Sequence, residues 1–323
     1  MPAVSRYLGW GEEVTYGEFT GATPYRADFA GESIEQKLQT KELEAPRFGA
    51  ITRQVLKRRN VAGSVDLLLG WNLVGRVLKQ LIGPPVTTGP ASGIYTHVFT
   101  ASGRTAVASL ALDLPREVEM HRYLGCFFTG ASVSIHSGDK HLGMKLNVLG
   151  AGEAAPLAIP SVVESDFEAP ILVGDSSASP SMLKVILDDG STVWSAALDS
   201  LDMQIGWNRQ LRFSSRSQTP TGFRPGTFAG GQVRVRWVYG SDTEFLLNAF
   251  KARTPIDAQV VFVDGSKELR FHFPLCLLTG RPPTVRGPGQ GNIELQVDSI
   301  ALYSETDGYG PVQVTLKNTV ASY

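Results

Sequence analysis

The chain has 323 residues, 42% of them hydrophobic and 19% charged, and a formal net charge of -1. That is enough apolar material for two cores of about 150 residues each, and it leaves no bulk charge to draw nucleic acid or an anionic membrane. Only Cys126 and Cys276 are present, in the apolar contexts "GCFF" and "PLCLL", which excludes a disulfide framework or a cysteine-rich metal centre and reads as two buried thiols.

The first stretch, "MPAVSRYLGWGEEVTYGEF", lacks the apolar core of a signal peptide, and no run approaches about 18 apolar residues. Synthesis and assembly in a cytoplasm are therefore expected. The 34 glycines and 19 prolines fall between short alternating runs, the pattern of a β-rich chain.

In chain order, "ESIEQKLQTKELE" is followed by a long polar segment, residues 47–63, carrying Arg47, Arg53, Lys57, Arg58 and Arg59. Next come the alternating strand "GSVDLLLGW" and a short helix. The helix has an apolar stripe of Leu73, Val74, Val77, Leu78 and Leu81, Asn72 as its cap, and Gly83-Pro84 as its stop. Two hairpins follow, "YTHVFTASGRTAVASLALDLP" and "ASVSIHSGDKHLGMKLNVLG".

The same order then recurs: "SLDMQIGW", a long polar segment over 208–231 with Arg209, Arg212, Arg216 and Arg224, the strand "GQVRVRW", and a second short helix. That helix has a stripe of Phe245, Leu246, Ala249 and Phe250 and a capping box of Ser241 with Glu244. Two more hairpins close the chain. Asp189-Gly190, Asp264-Gly265 and Asp307-Gly308 supply the tight turns.

The proline-ended strands "SLALDLP" and "ELRFHFP" are read as equivalents, and the whole as a tandem duplication. The expected division is a first domain over 1–155, a linker over 156–170 and a second domain over 171–323. Polar segments as long as 47–63 and 208–231 are rare in compact domains without a use.

The residues offer little catalytic chemistry. His136 and His141 in "HSGDKH" read as hairpin-tip residues, "GPGQGN" precedes a strand and so lacks the aligned amides that hold phosphate, and Glu12 with Glu13 reads as solvated charge. No cofactor is implied. The clustered cations in the two polar segments are open to three readings: a nucleic-acid patch, a solvated loop, or contact arms that meet acidic residues of a neighbouring subunit.

The stretches "RYLGWGEEVTYGEFTGATPYRADFAGESIE", "GSVDLLLGWNLVGRVLKQLIG" with "YTHVFT", and "DSIALYSETDGYGPVQVTLKNTVASY" resemble the tail tube proteins of long, non-contractile-tailed bacteriophages over nearly the whole chain. The resemblance implies a mainly β fold of two tandem sandwich or partial-barrel domains, each with one flanking helix. It also implies a virion protein whose domains join edge to edge into rings, trimeric for two-domain members, stacked into the conduit for viral DNA.

By the same resemblance the partners are other copies of the chain, a tape measure protein, and tail-tip and tail-terminator proteins. By position, 47–63 and 208–231 correspond to the arms that reach the adjacent ring. A wall along which DNA slides should not grip phosphates, so Arg234 and Arg236 are expected to face the outside or an interface. The competing reading is a monomeric tandem β-sandwich that binds carbohydrate, with Trp71, Trp207 or Trp237 as platform.

Overall fold

The computed structural model describes residues 7–45, 50–101, 107–136, 139–161, 167–173, 182–187, 192–193, 198–215, 217–238, 244–279, 294–302 and 310–323. Eighteen of the strands described there belong to one connected antiparallel sheet, and two more form a separate ribbon. The fold is mainly β with two short helices, as the sequence indicates.

The first half is a closed six-stranded barrel. Strands β1 (Tyr7–Glu12), β2 (Tyr25–Glu32), β4 (Ala50–Leu68), β9 (Gly143–Gly150), β8 (Glu119–His136) and β7 (Leu110–Arg116) pair in that order, and β7 returns to β1. Alternation sets the inside: Val65 and Leu67 of β4, Leu146 and Val148 of β9, and Leu110, Leu112 and Leu114 of β7 are fully buried with Trp10. Strand β3 (Glu35–Ala45) extends β2 along the outer stretch of β4.

The second half repeats this pairing. The order β1–β7–β8–β9–β4–β3 recurs as β11 (Met182–Leu187), β17 (Ile256–Asp264), β18 (Lys267–Thr279), β19 (Glu294–Ala301), β16 (Phe228–Val238) and β13 (Leu198–Trp207). Helix α1 (Leu73–Leu81) follows β4 and helix α2 (Glu244–Ala252) follows β16. Strand β2 closes the first unit between β1 and β4; among the described residues no strand does the same in the second.

The pairing corrects the hairpin alignment read from sequence. The partner of the β17–β18 hairpin is β7–β8, so "SLALDLP" on β7 matches β17, and "ELRFHFP" on β18 matches the first part of β8. The misleading segment is an extra hairpin in the first half, β5 (Val86–Ala91) with β6 (Ile94–Thr100). It joins the second half by pairing β6 with β20 (Gln313–Asn318).

Neither proline ends its strand. Pro115 pairs with Met120 beside the turn, and Pro274 sits where the β17–β18 register shifts between Ile256 and Ala258, the kind of irregularity at which a strand tolerates a missing donor. A two-residue hairpin turn is seen one position beyond the one read from sequence: Asp264 pairs with Lys267, and Gly265, with φ +57°, and Ser266 make the turn. Asp189-Gly190 and Asp307-Gly308 lie outside the described residues.

The α1 stripe is buried as its spacing predicts, with Leu73, Val74, Val77, Leu78 and Leu81 all against the core. Its cap differs from expectation. Asn72 is itself helical (φ -89°, ψ -31°) and makes no side-chain cap bond, because the first intrahelical bond, from Val74 N to Gly70 O (3.0 Å), starts earlier. The capping acceptor is the Glu168 carboxylate, which takes the amides of Asn72 (2.9 Å) and Leu73 (3.0 Å). A side chain at Gly70 would collide with it, since a Cβ there would stand 2.4 Å from Glu168 Cδ. The Ser241 half of the α2 capping box lies outside the described residues.

Candidate assembly surfaces

The two segments read as long loops are built structure. Residues 50–63 belong to β4, which forms with β3 a hairpin arm bent by two register shifts, between Gln39 and Thr40 and between Leu43 and Glu44. Lys57, Arg58 and Arg59 are exposed on it; Arg53 pairs with Leu43 at its outer end. The arm is polar on both faces because both are wet over much of its length, so no period of two marks it as a strand. Among the described side chains of β3, Leu38, 61% exposed, is the large apolar exception.

The segment 208–231 holds the ribbon of β14 (Gln210–Arg212) and β15 (Gly222–Arg224), with Arg212 and Arg224 exposed. This ribbon lies on the first arm within the same chain. Arg59 N donates to Gln218 O (2.9 Å), Arg59 Nε to Thr219 Oγ1 (2.9 Å), and Gln218 Nε2 to Leu56 O (2.9 Å), while the Arg58 guanidinium covers the Phe213 ring at 4.4 Å. Phe223 stacks on Phe127 with centroids 4.5 Å apart. Arg47 and Arg216 lie outside the described residues.

Arg209 is placed differently from its neighbours. It is 3% exposed, and its guanidinium donates to Gln80 O (3.0 Å), Leu81 O (2.7 Å) and Phe128 O (2.6 Å). It thereby closes the C-terminal end of α1 and ties it to β8. Burial pushes its pKa down to about 10, which still leaves it charged at neutral pH. With Glu168 at one end of α1 and Arg209 at the other, an anion and a cation from outside the first barrel meet the helix dipole in its favourable sense.

The halves share one sheet through the seam between β8 and β13. Ala131 stands opposite Ile205, Val133 opposite Met203 and Ile135 opposite Leu201, all buried on the core side. β8 reaches the seam by changing partners on one edge: β7 pairs with it as far as Cys126, and β13 takes the same edge from Gly130.

β18 is arranged in the same way up to a point. β17 pairs with its first part as far as Cys276, and from Leu277 to Thr279 that edge carries no partner strand among the described residues. At the other end of the sheet, the stretch Phe29–Glu35, which corresponds to the seam-forming part of β13, is paired only to β4, again among the described residues.

The platform expected of a carbohydrate binder is not offered by two of its three tryptophans. Trp71 (5% exposed) and Trp207 (4%) are core residues; the Trp237 side chain lies outside the described residues. Both cysteines are buried and free, and burial raises their thiol pKa values, to about 12 for Cys276. Glu13 is not a solvated charge: it is 7% exposed and accepts from Gly17 N (2.8 Å), Ser109 Oγ (2.7 Å) and Gly125 N (2.8 Å). Glu12 pairs with Lys79 at 2.8 Å. Among the described residues no group of three or more His, Cys, Asp or Glu side chains could hold a metal ion.

A repeated, mainly β unit that already fuses two copies of itself along strand edges, and has further edges without a partner among the described residues, is the architecture of a structural building block. Comparison with protein families agrees: a family model described as phage tail tube protein matches residues 4–301. The chain belongs to the phage tail tube protein family and is a structural component of the virion tail. Among curated proteins none matches the chain.

Proposed function

We propose that this chain forms closed trimeric rings of six repeated units, stacked into the tube of a long non-contractile tail, through which viral DNA leaves the capsid. The observation that carries this reading is the β8–β13 seam, taken as the template for the joint between chains. Aligning the repeats through their pairing puts Val65 with Val233, Leu146 with Ser299, Ala131 with Leu278, and Ile34 with Ile205. Since Ala131 faces Ile205 at the seam, Leu278 of one copy would face Ile34 of the next, with Thr279 opposite Ser33.

Three such joints close a ring in which each of these edges is paired, and closure removes the hazard that open edges present. Closed symmetry is the usual outcome for soluble homo-oligomers. The units are 1–155 and 171–323, with 156–170 between them supplying the Glu168 cap. The interlocked arms, with Arg53, Lys57, Arg58, Arg59, Arg212 and Arg224, would meet the adjacent ring. The tape measure, tail-tip and tail-terminator proteins would be the other partners, with assembly in the host cytoplasm.

The register is tested by placing cysteines at Ser33 and Thr279. Directly opposed positions in an antiparallel pair have Cβ atoms about 4.5–5.5 Å apart, close enough for oxidation to link chains with small adjustment. The expected product is a covalent trimer, formed only with both substitutions; the native thiols are buried and held neutral. Monomer throughout, under conditions where the parent assembles, would contradict the register.

A further inference from the structure

The strands β4, β9, β8, β13, β16 and β19 run on as one sheet, and on the face turned away from the cores the described side chains Ser134, Lys145, Asn147, Gln204, Gln232 and Arg234 are exposed. On the exposed side of the seam lie mostly uncharged groups, among them Gly130, Ser132, Asn147, Gln204 and Gln232, lining a shallow groove. The charges beyond them are ordered. Lys145 on β9 is exposed and stands directly opposite Asp66 on β4. Arg234 on β16 is exposed and stands opposite Asp202 on β13 and Asp298 on β19. Asp202 is held in place by the Ser134 hydroxyl, which donates to its Oδ1 at 2.5 Å.

In the repeat alignment, Asp66 corresponds to Arg234 and Lys145 to Asp298. The signs are exchanged between the halves at both positions, yet each pair still sums to zero. Opposed residues on neighbouring strands hold their Cβ atoms about 4.5–5.5 Å apart, so a cation matched there by a carboxylate presents a local dipole rather than a net charge, and its pull on a phosphate falls off accordingly.

We infer that this exposed face is a wall past which a polyanion moves without adhering, each of these cations being cancelled by the carboxylate on the neighbouring strand. The inference rests on the tube reading, in which this face lines the lumen and DNA is the polyanion. It also revises the expectation that Arg234 faces outward or into an interface. Arg234 can stand on the wall because Asp202 is held on the neighbouring strand directly opposite it; the Arg236 side chain lies outside the described residues.

The test uses the full-length chain as dispersed subunits and a fluorescent DNA duplex, titrated at several salt concentrations. Replacing the carboxylates opposite both cations, Asp66→Asn with Asp202→Asn and Asp298→Asn, should tighten binding roughly tenfold or more at about 50 mM salt and steepen the log–log salt slope by about one for each cation uncovered. Adding Lys145→Gln and Arg234→Gln should return both to the parent's values. Asp202→Asn alone, as the milder change, should give an intermediate shift that Arg234→Gln cancels.

Unchanged affinity in the carboxylate variants, or a gain that survives removal of the two cations, would overturn the inference. Comparison with the parent subtracts whatever the basic arms contribute. Because the assay does not require rings, failure to form tubes would count against the proposed function and leave this result standing on its own.

Discussion

His97 sits at the centre of the contact between the C-terminal segment and the first half. It is fully buried; its Nε2–H donates to Val320 O (2.9 Å), so Nδ1 accepts from the Thr87 hydroxyl (2.8 Å), and the Tyr323 ring meets it edge-on at 4.8 Å. Burial lowers its pKa below the ordinary 6.5, against the opposing pull of the Val320 carbonyl. The folded chain thus binds fewer protons here than the unfolded chain, so stability is fully present above about pH 6.5 and is lost as pH falls toward the folded value. Thermal melting between pH 7 and pH 5 should show a falling midpoint, and His97→Gln should flatten that slope; a variant that falls in parallel with the parent would refute the assignment. Neither this site nor the buried Asp113–Arg122 pair (2.7 Å) nor Glu13 has a signature in sequence. Most of their partners lie about ninety to more than two hundred residues away, and a lone polar residue among apolar ones reads as the wet side of a strand.

Helix α1 shows how much of an element is local and how much is not. Its stripe and its glycine stop are periodic features, and both are legible; Gly83 has φ +127°, where only glycine is at ease. Its caps come from Glu168 and Arg209, and its tight approach to the chain end requires Gly75, where a Cβ would stand 2.1 Å from the Tyr323 ring. Arg209→Ala would strand the buried carbonyls of Gln80, Leu81 and Phe128, and losing charge-assisted bonds of this kind costs about 3 kcal/mol. A clear drop in the urea midpoint with unchanged far-UV circular dichroism is the expected outcome; an unchanged midpoint would show that α1 does not depend on this clamp. The arms were illegible for the opposite reason: β3 and the outer part of β4 expose both faces, so the alternation that reveals a strand is missing there.

At the scale of the whole molecule, the duplicated order strand, helix, hairpin could be read from "GSVDLLLGW" and "GQVRVRW", whereas the seam could not. Pairing between β8 and β13, or between β6 and β20, is a long-range choice that no local pattern encodes, and the inserted β5–β6 hairpin drew the alignment off by one hairpin. The seam nevertheless says the most about function, since in the ring we propose it would be one joint already made inside a single chain. Electron microscopy of the purified protein at rising concentration tests that claim most directly. Hollow tubes whose rings contain three chains, with near-sixfold density and a lumen lined by the joined sheet, are the predicted result; chains that stay monomeric at every concentration, or rings joined through surfaces other than the edges at Ser33 and Thr279, would contradict it.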